Sequence, residues 1–188
     1  MQHKVLVFVG MPGSGKSVCV EYLKAKGLAT AYFGGITLEE MQRRGLEVNE
    51  NNEKAVREDI RAQEGTGAYA HRIIRQLEQF FADGERHVVA DGLYSWTEYK
   101  IFKEKFGDEA VIIAVVSPRA LRHERLASRP VRPLSEADAT ARDYAEIENI
   151  EKGGPIANAD YFLNNVETVE VLTDGLQNLL HEIGIQLT

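Results

Sequence analysis

Residues 4–17 read Lys-Val-Leu-Val-Phe-Val-Gly-Met-Pro-Gly-Ser-Gly-Lys-Ser, and this stretch decides the fold. Lys4 to Val9 is a short apolar run of the kind a buried strand uses. Ser17 to Lys26 is a helical stretch stopped by Gly27. Between them, Gly10, Met11, Pro12, Gly13, Ser14, Gly15, Lys16 and Ser17 fit the pattern G-x-x-x-x-G-K-[ST]. The glycines let the backbone curl until successive N–H groups face one concavity. A polyphosphate fits there, on the N-terminus of the following helix. Lys16 is placed to reach the β- and γ-phosphates, and the Ser17 hydroxyl to ligate Mg²⁺. A bare glycine turn would not require strand, loop and helix in this order.

Working outward, strand and helix signals alternate along the whole chain, which predicts a parallel sheet with helices on both faces. Ala29 to Phe33 reads as a second strand, and Thr37-Leu-Glu-Glu40 as a capping box opening a short helix that stops at Gly45. Asn49 to Asn52 can cap a helix from about Glu53 to Gln63. Tyr69, Ile73, Leu77 and Phe80 form an apolar stripe at helical spacing, read as core, and Gly84 ends that helix. His87 to Asp91 is a third strand ending in a carboxylate, and Ser95-Trp-Thr-Glu98 caps a helix running to Phe106. Ala110 to Val116 is a fourth strand, and Ser117-Pro118 supplies a cap and a first-turn proline for the next helix. Arg129-Pro-Val-Arg-Pro133 breaks that helix, Ser135 opens another through about Ile150, and Gly153-Gly-Pro155 ends it. Tyr161 to Leu163 is the fifth strand and Glu167 to Ile183 the closing helix. No repeat, linker or low-complexity tract interrupts the series, so residues 1–188 are expected to form one domain.

Composition sets the class. A net charge of −7 and 44% hydrophobic residues describe an ordinary globular chain and argue against nucleic acid or an anionic membrane as partner. No apolar run approaches the length of a membrane span, and Met1 to Lys4 leads straight into a strand, so neither a leader nor an anchor is expected. The single cysteine, Cys19, reads as a small core residue and suits a reducing cytoplasm. The five histidines show neither triad nor metal spacing, and none is assigned to catalysis.

Three further groups carry chemistry. Asp91, at the carboxyl end of a strand, points into the crevice where ligands of open α/β sheets bind, and there it can hold Mg²⁺ or accept a proton. Arg119, Arg122, Arg125, Arg129 and Arg132 form a basic row with most members on one helical face. Arg125 and Arg129 read as phosphate- or base-binding forks, whereas Arg119 and Arg122 read as a solvated face. Arg142-Asp143 follows on the next helix, and Arg57 and Arg61 are candidates for gripping an acceptor.

With those residues placed, the chain resembles P-loop kinases of the nucleoside-monophosphate-kinase type, most nearly dephospho-CoA kinase-like and archaeal adenylate kinase-related proteins. The matching stretches are Gly10 to Ser17, Arg61 to Gly65, Val88 to Gly92, Phe102 to Gly107, Ser117 to Arg129, Arg142-Asp143 and Ile156 to Tyr161. The resemblance implies a three-layer α/β P-loop fold with five parallel strands, an acceptor-binding segment at about 34–66 and a mobile lid at about 129–145. It implies ATP and Mg²⁺ as cofactors, with Lys16, Asp91, Arg129 and Arg142 catalytic and Ser17 and Asp91 at the metal. Arg125 would lie on the adenine, and Asn164 would belong to the stretch, 164–166, that passes it. Arg57, Arg61 and Tyr94 would face the acceptor. Such relatives usually carry Gly-Asp after the second strand, with Arg three residues on; this chain has Gly34-Gly35 and Leu38. Where adenylate-kinase-related proteins tend to have Arg two residues past the Asp-Gly, it has Tyr94. The expected activity is phosphoryl transfer from ATP to a small nucleotide-like acceptor, by a monomer or small homo-oligomer. The alternatives are a nucleotide-binding switch or a slow ATPase with a degenerate acceptor site.

Overall fold

Five strands make up the sheet: β1 (Lys4–Val9), β2 (Thr30–Tyr32), β3 (His87–Asp91), β4 (Ala110–Val116) and β5 (Tyr161–Asn164). All neighbouring pairs are parallel, in the order β2-β3-β1-β4-β5. The structure is a computed structural model that describes residues 3–187; Met1, Gln2 and Thr188 lie outside the described residues. Nine α-helices connect and flank the strands among those residues: α1 (Lys16–Ala25), α2 (Phe33–Arg43), α3 (Glu50–Glu64), α4 (Ala68–Ala82), α5 (Trp96–Phe106), α6 (Arg119–Ser128), α7 (Glu136–Glu148), α8 (Gly153–Ala157) and α9 (Val169–Glu182).

The continuous apolar runs of β1 and β4 follow from burial on both faces. Val5, Val7 and Val9 join Val88, Ala90, Ala110, Ile112 and Ala114 in one core, closed by Phe33, Met41, Ile60, Ile73, Leu77 and Phe102 from α2 to α5. Leu6 and Phe8 point the other way, with Val89, Val111, Ile113 and Val115, into a core closed by α1 and α9. Cys19 lies in that second core, fully buried, and burial pushes its thiol up to about 12, so it packs as a small hydrophobe. Each large side chain in these layers contributes about 1.5–3 kcal/mol by leaving water. Of the stripe, Tyr69, Ile73 and Leu77 are buried core on α4, as the spacing predicts, and Phe80 packs against that core partly buried.

Several local expectations are corrected. Thr37 does not cap a helix: α2 starts directly from β2 at Phe33, and the Thr37 hydroxyl sits mid-helix, 2.8 Å from the Tyr69 hydroxyl. Gly34-Gly35 therefore continues the helix, and β2 is only three residues long. Asn49 caps α3, its side chain accepting from the Asn52 amide at 2.9 Å, so that helix begins before Glu53. Ser95 and Glu98 form the expected capping box. Ser117 does not cap α6; Pro118 holds the cap position in extended backbone, and the Ser117 hydroxyl donates instead to the Asn165 carbonyl at 2.6 Å. Gly153-Gly-Pro155 forms a short helix of its own, and α9 begins at Val169 behind a Thr168 cap.

Candidate functional site

The loop of residues 10–15 leaves β1 between its neighbours β3 and β4, where strands on either side connect in opposite directions. This is the switch point at which open α/β sheets form a crevice beyond their carboxyl ends. Gly15 is the N-cap of α1 in left-handed backbone, no side chain caps the helix, and its first turn holds no acid. The first amides of α1 are thus left for an external anion, with the positive end of the helix dipole behind them. Lys16 reaches across the crevice and ion-pairs with the Asp91 carboxylate. The Ser17 side chain is exposed at the rim. Amides, a lysine, a free hydroxyl and a carboxylate are the donor set that ATP with Mg²⁺ requires, so the residues present fit those groups.

The loop is clamped from behind by side chains far away in sequence. The Asn165 amide donates to the Ser14 carbonyl at 2.8 Å, and a Cβ at Gly15 would run into that same side-chain nitrogen. Arg122 donates to the Pro12 carbonyl at 2.9 Å, and its own carbonyl would lie 2.6 Å from a Cβ at Gly13. Gly13 and Gly15 combine left-handed backbone with these close approaches, so neither position admits a side chain. The Ser14 hydroxyl is buried without a hydrogen-bond partner, tucked against Gly10.

Arg122 is the clearest departure from expectation. It is 7% exposed, and its fork holds both Asp143 oxygens at 2.9 and 2.7 Å. His123 also reaches Asp143, at 3.1 Å, and Glu136 at 2.9 Å. Although burial alone would raise the Asp143 pKa, the bonds from Arg122 and His123 hold it below the usual carboxylate range. A buried network therefore ties the loop, α6 and α7 together. Arg119, by contrast, is exposed and pairs with Thr140 and Glu136, as a solvated face should.

Arg125, Arg129 and Arg142 each have partners within the protein. Arg125 donates to the Ser117 hydroxyl at 3.0 Å, the Asn165 carbonyl at 3.1 Å and the Asn165 side-chain oxygen at 3.3 Å. Asn164, the sequence candidate, ends β5 and is exposed; its neighbour Asn165 makes the loop contacts. Arg129 donates to the Arg132 carbonyl, and its pKa is lowered by partial burial and then by Arg142 and Arg132 beside it. Arg142 bonds Glu146 at 3.3 Å, and Glu146 also pairs with Lys152. Lys152 is 3% exposed, sits 4.8 Å from the Tyr94 ring centre and senses the charges of Lys16 and Arg142. Its burial lowers its pKa against the opposing pull of Glu146.

On the other side, Arg57 pairs with Glu53 at 3.5 Å, and Arg132 reaches the same carboxylate at 3.1 Å. Arg61 lies over the Tyr69 ring, 5.1 Å from its centre. Tyr94 is pushed well above the usual phenol pKa, first by burial and then by Tyr32 and Asp91. The sequence placed Asn165 only within the stretch 164–166, and missed Ser117, Lys152, Glu53 and Tyr32 as members of this constellation. Only the run Asn164-Asn165 after a strand hinted at Asn165.

The family described as AAA domain matches residues 6–150. A UPF0200 protein of Thermococcus onnurineus is 32% identical over 95% of this chain and 97% of its own length. The chain belongs to the AAA domain family and to the UPF0200 family. A second UPF0200 protein, from Thermococcus gammatolerans, is 34% identical over 95% of both chains. The chain spans only 57% of the Archaeoglobus fulgidus UPF0200/UPF0201 protein, to which it is 31% identical. Among solved structures, TT1252 from Thermus thermophilus superposes with a TM-score of 0.68 at 18% identity, covering 97% of this chain and 99% of that one. Shikimate kinase from Bacteroides thetaiotaomicron gives 0.59 at 14% identity over 95% and 98%. A gluconokinase from Sinorhizobium meliloti gives 0.58 at 13% over 96% and 95%. This UPF0200 chain therefore has the P-loop kinase fold. No helix among its described residues is long and apolar enough to cross a membrane.

Proposed function

We propose that the protein is an ATP- and Mg²⁺-dependent phosphotransferase acting on a small nucleotide-like acceptor, of the dephospho-CoA kinase or adenylate kinase-related kind. The observation that carries this reading is the uncapped N-terminus of α1, with Lys16 and Asp91 meeting across the crevice in front of it. Phosphoryl transfer asks the protein for positioning and charge stabilisation more than for covalent chemistry. Bound Mg²⁺ would supply neutralisation of phosphate charge. The loop amides and Lys16 would hold the β- and γ-phosphates, and Ser17 and Asp91 are the metal-side groups. Arg125, beside Asn165, would support the adenine, while Arg129 and Arg142 would bear on the transferred group. Arg57, Arg61 and Tyr94 would line the acceptor side. A lid at about 129–145 would order on nucleotide binding. A cytoplasmic setting suits the single buried thiol.

The test is transfer of the γ-phosphate of MgATP to a panel of nucleoside monophosphates and dephospho-CoA. Transfer to any member supports the proposal. ATP binding without transfer favours a second reading, a nucleotide switch or slow ATPase, which the absence of a carboxylate at Gly34-Gly35 motivates. Failure to bind MgATP overturns both.

A further inference from the structure

Gly34 and Gly35 occupy helix α2, where a glycine pair costs stability and no turn demands one. Neither has the positive φ that would call for glycine. What fills their place is the side chain of Tyr32. Its hydroxyl and ring tip lie where a Cβ on Gly34 would be, while the near edge of its ring passes 3.5 Å from a Cβ on Gly35. Tyr32 is paired in register with Asp91 on β3, and its hydroxyl meets that of Tyr94, which itself lies 2.7 Å from a Cβ on Gly92. Two phenols thus converge over the ends of β2 and β3, beside the Asp91 carboxylate that Lys16 holds. The Tyr32 pKa is raised, first by burial and then by Asp91 and Glu53. At neutral pH the hydroxyl is a neutral hydrogen-bonding group, unable to act as a base.

We infer that Tyr32 is the acceptor-side gate of the phosphate-loop crevice: its phenol, seated on Gly34, keeps water from the reacting side of a bound triphosphate. This rests on the proposed binding of MgATP. Hydrolysis forms a bond from water oxygen to the γ-phosphorus and breaks the bond to the β–γ bridging oxygen. ADP leaves with that electron pair, and the water proton passes to the phosphate product. A phenol across the water path suppresses this side reaction until an acceptor moves the ring aside.

The two glycines supply the test. Gly34→Ala forces the ring off its seat, whereas Gly35→Ala meets it only at ordinary contact distance. Both exchanges place alanine in the same helix, so a general effect on α2 would appear in both. MgATP affinity is measured by calorimetry and ADP release in the absence of any acceptor by a coupled assay. The expected result is a rise of about tenfold in acceptor-free ADP release for Tyr32→Ala and for Gly34→Ala, with Gly35→Ala at the wild-type rate and MgATP affinity kept. Intact MgATP binding with no rise in either variant, or an equal rise in all three, overturns the gate. Absence of MgATP binding by the wild type counts against the proposed function instead.

Discussion

The two walls of the crevice are built differently. The loop wall, the proposed donor side, is held by buried groups drawn from the far half of the chain: Asn165 on Ser14, Arg122 on Pro12, and Asp143 with His123 behind Arg122. The opposite wall, the proposed acceptor side, is held by partly exposed arginines, Arg57 and Arg132, on the largely covered Glu53 carboxylate, and by Arg61 over the Tyr69 ring. A buried charge network locks one geometry, because removing a member strands its partner in a low dielectric. Exposed ion pairs exchange readily with water and with ligands. The loop side is therefore pre-organised, and under the proposed function the opposite side is where ligand choice and motion would reside.

The comparison breaks first at Lys16. Replacing it with alanine should weaken MgATP binding by about 100-fold, the scale expected when a pre-organised charge donor is lost. Calorimetry checks this, and unchanged affinity would remove Lys16 from the donor wall. Arg122→Ala comes next. It leaves Asp143 buried without its fork and should destabilise the fold by about 3–5 kcal/mol in urea unfolding. A loss below about 1 kcal/mol would mean that the network is not the clamp described here.

The same pair fixes a pH dependence. The folded pKa of Asp143 is held below its unfolded value, so the pairing contributes fully above that unfolded value, near pH ~4. It is lost as pH falls further through the folded pKa. Asp143→Asn should lower neutral stability and flatten the acid limb of the stability curve; a parallel curve would contradict the assignment. The smallest effect belongs to the pairing of Glu53 with the partly exposed Arg57 and Arg132. Glu53→Gln should cost less than about 1 kcal/mol yet speed hydrogen exchange at residues 129–135, and a non-hydrolysable ATP analogue should slow exchange there. Unchanged exchange with the analogue would count against a lid.

Much of the fold was legible because it rests on local rules. The apolar runs of β1 and β4, the stripe on α4 and the Ser95–Glu98 box each state their structure within a dozen residues. The loop likewise announced its place between strand and helix. What stayed hidden depends on partners distant in sequence. Arg122 sits in a basic row that looks solvated, and only the packing of α7 turns it inward onto Asp143 and Pro12. Thr37 looks like a cap until α2 proves to start four residues earlier. Asn165 lies 151 residues from the carbonyl it binds, and no spacing rule links them. Tyr32 reads as a strand residue, and the seating of its ring on Gly34 emerges only in the folded chain.

The central claim is that the loop before α1 is a ready-made triphosphate cradle. Titration calorimetry of the wild-type protein with an ATP analogue and Mg²⁺, alongside Lys16→Ala, tests it most directly. The account predicts saturable binding below millimolar concentration for the wild type and its loss in the variant. No heat from the wild type at millimolar nucleotide, or equal binding by both proteins, would contradict it.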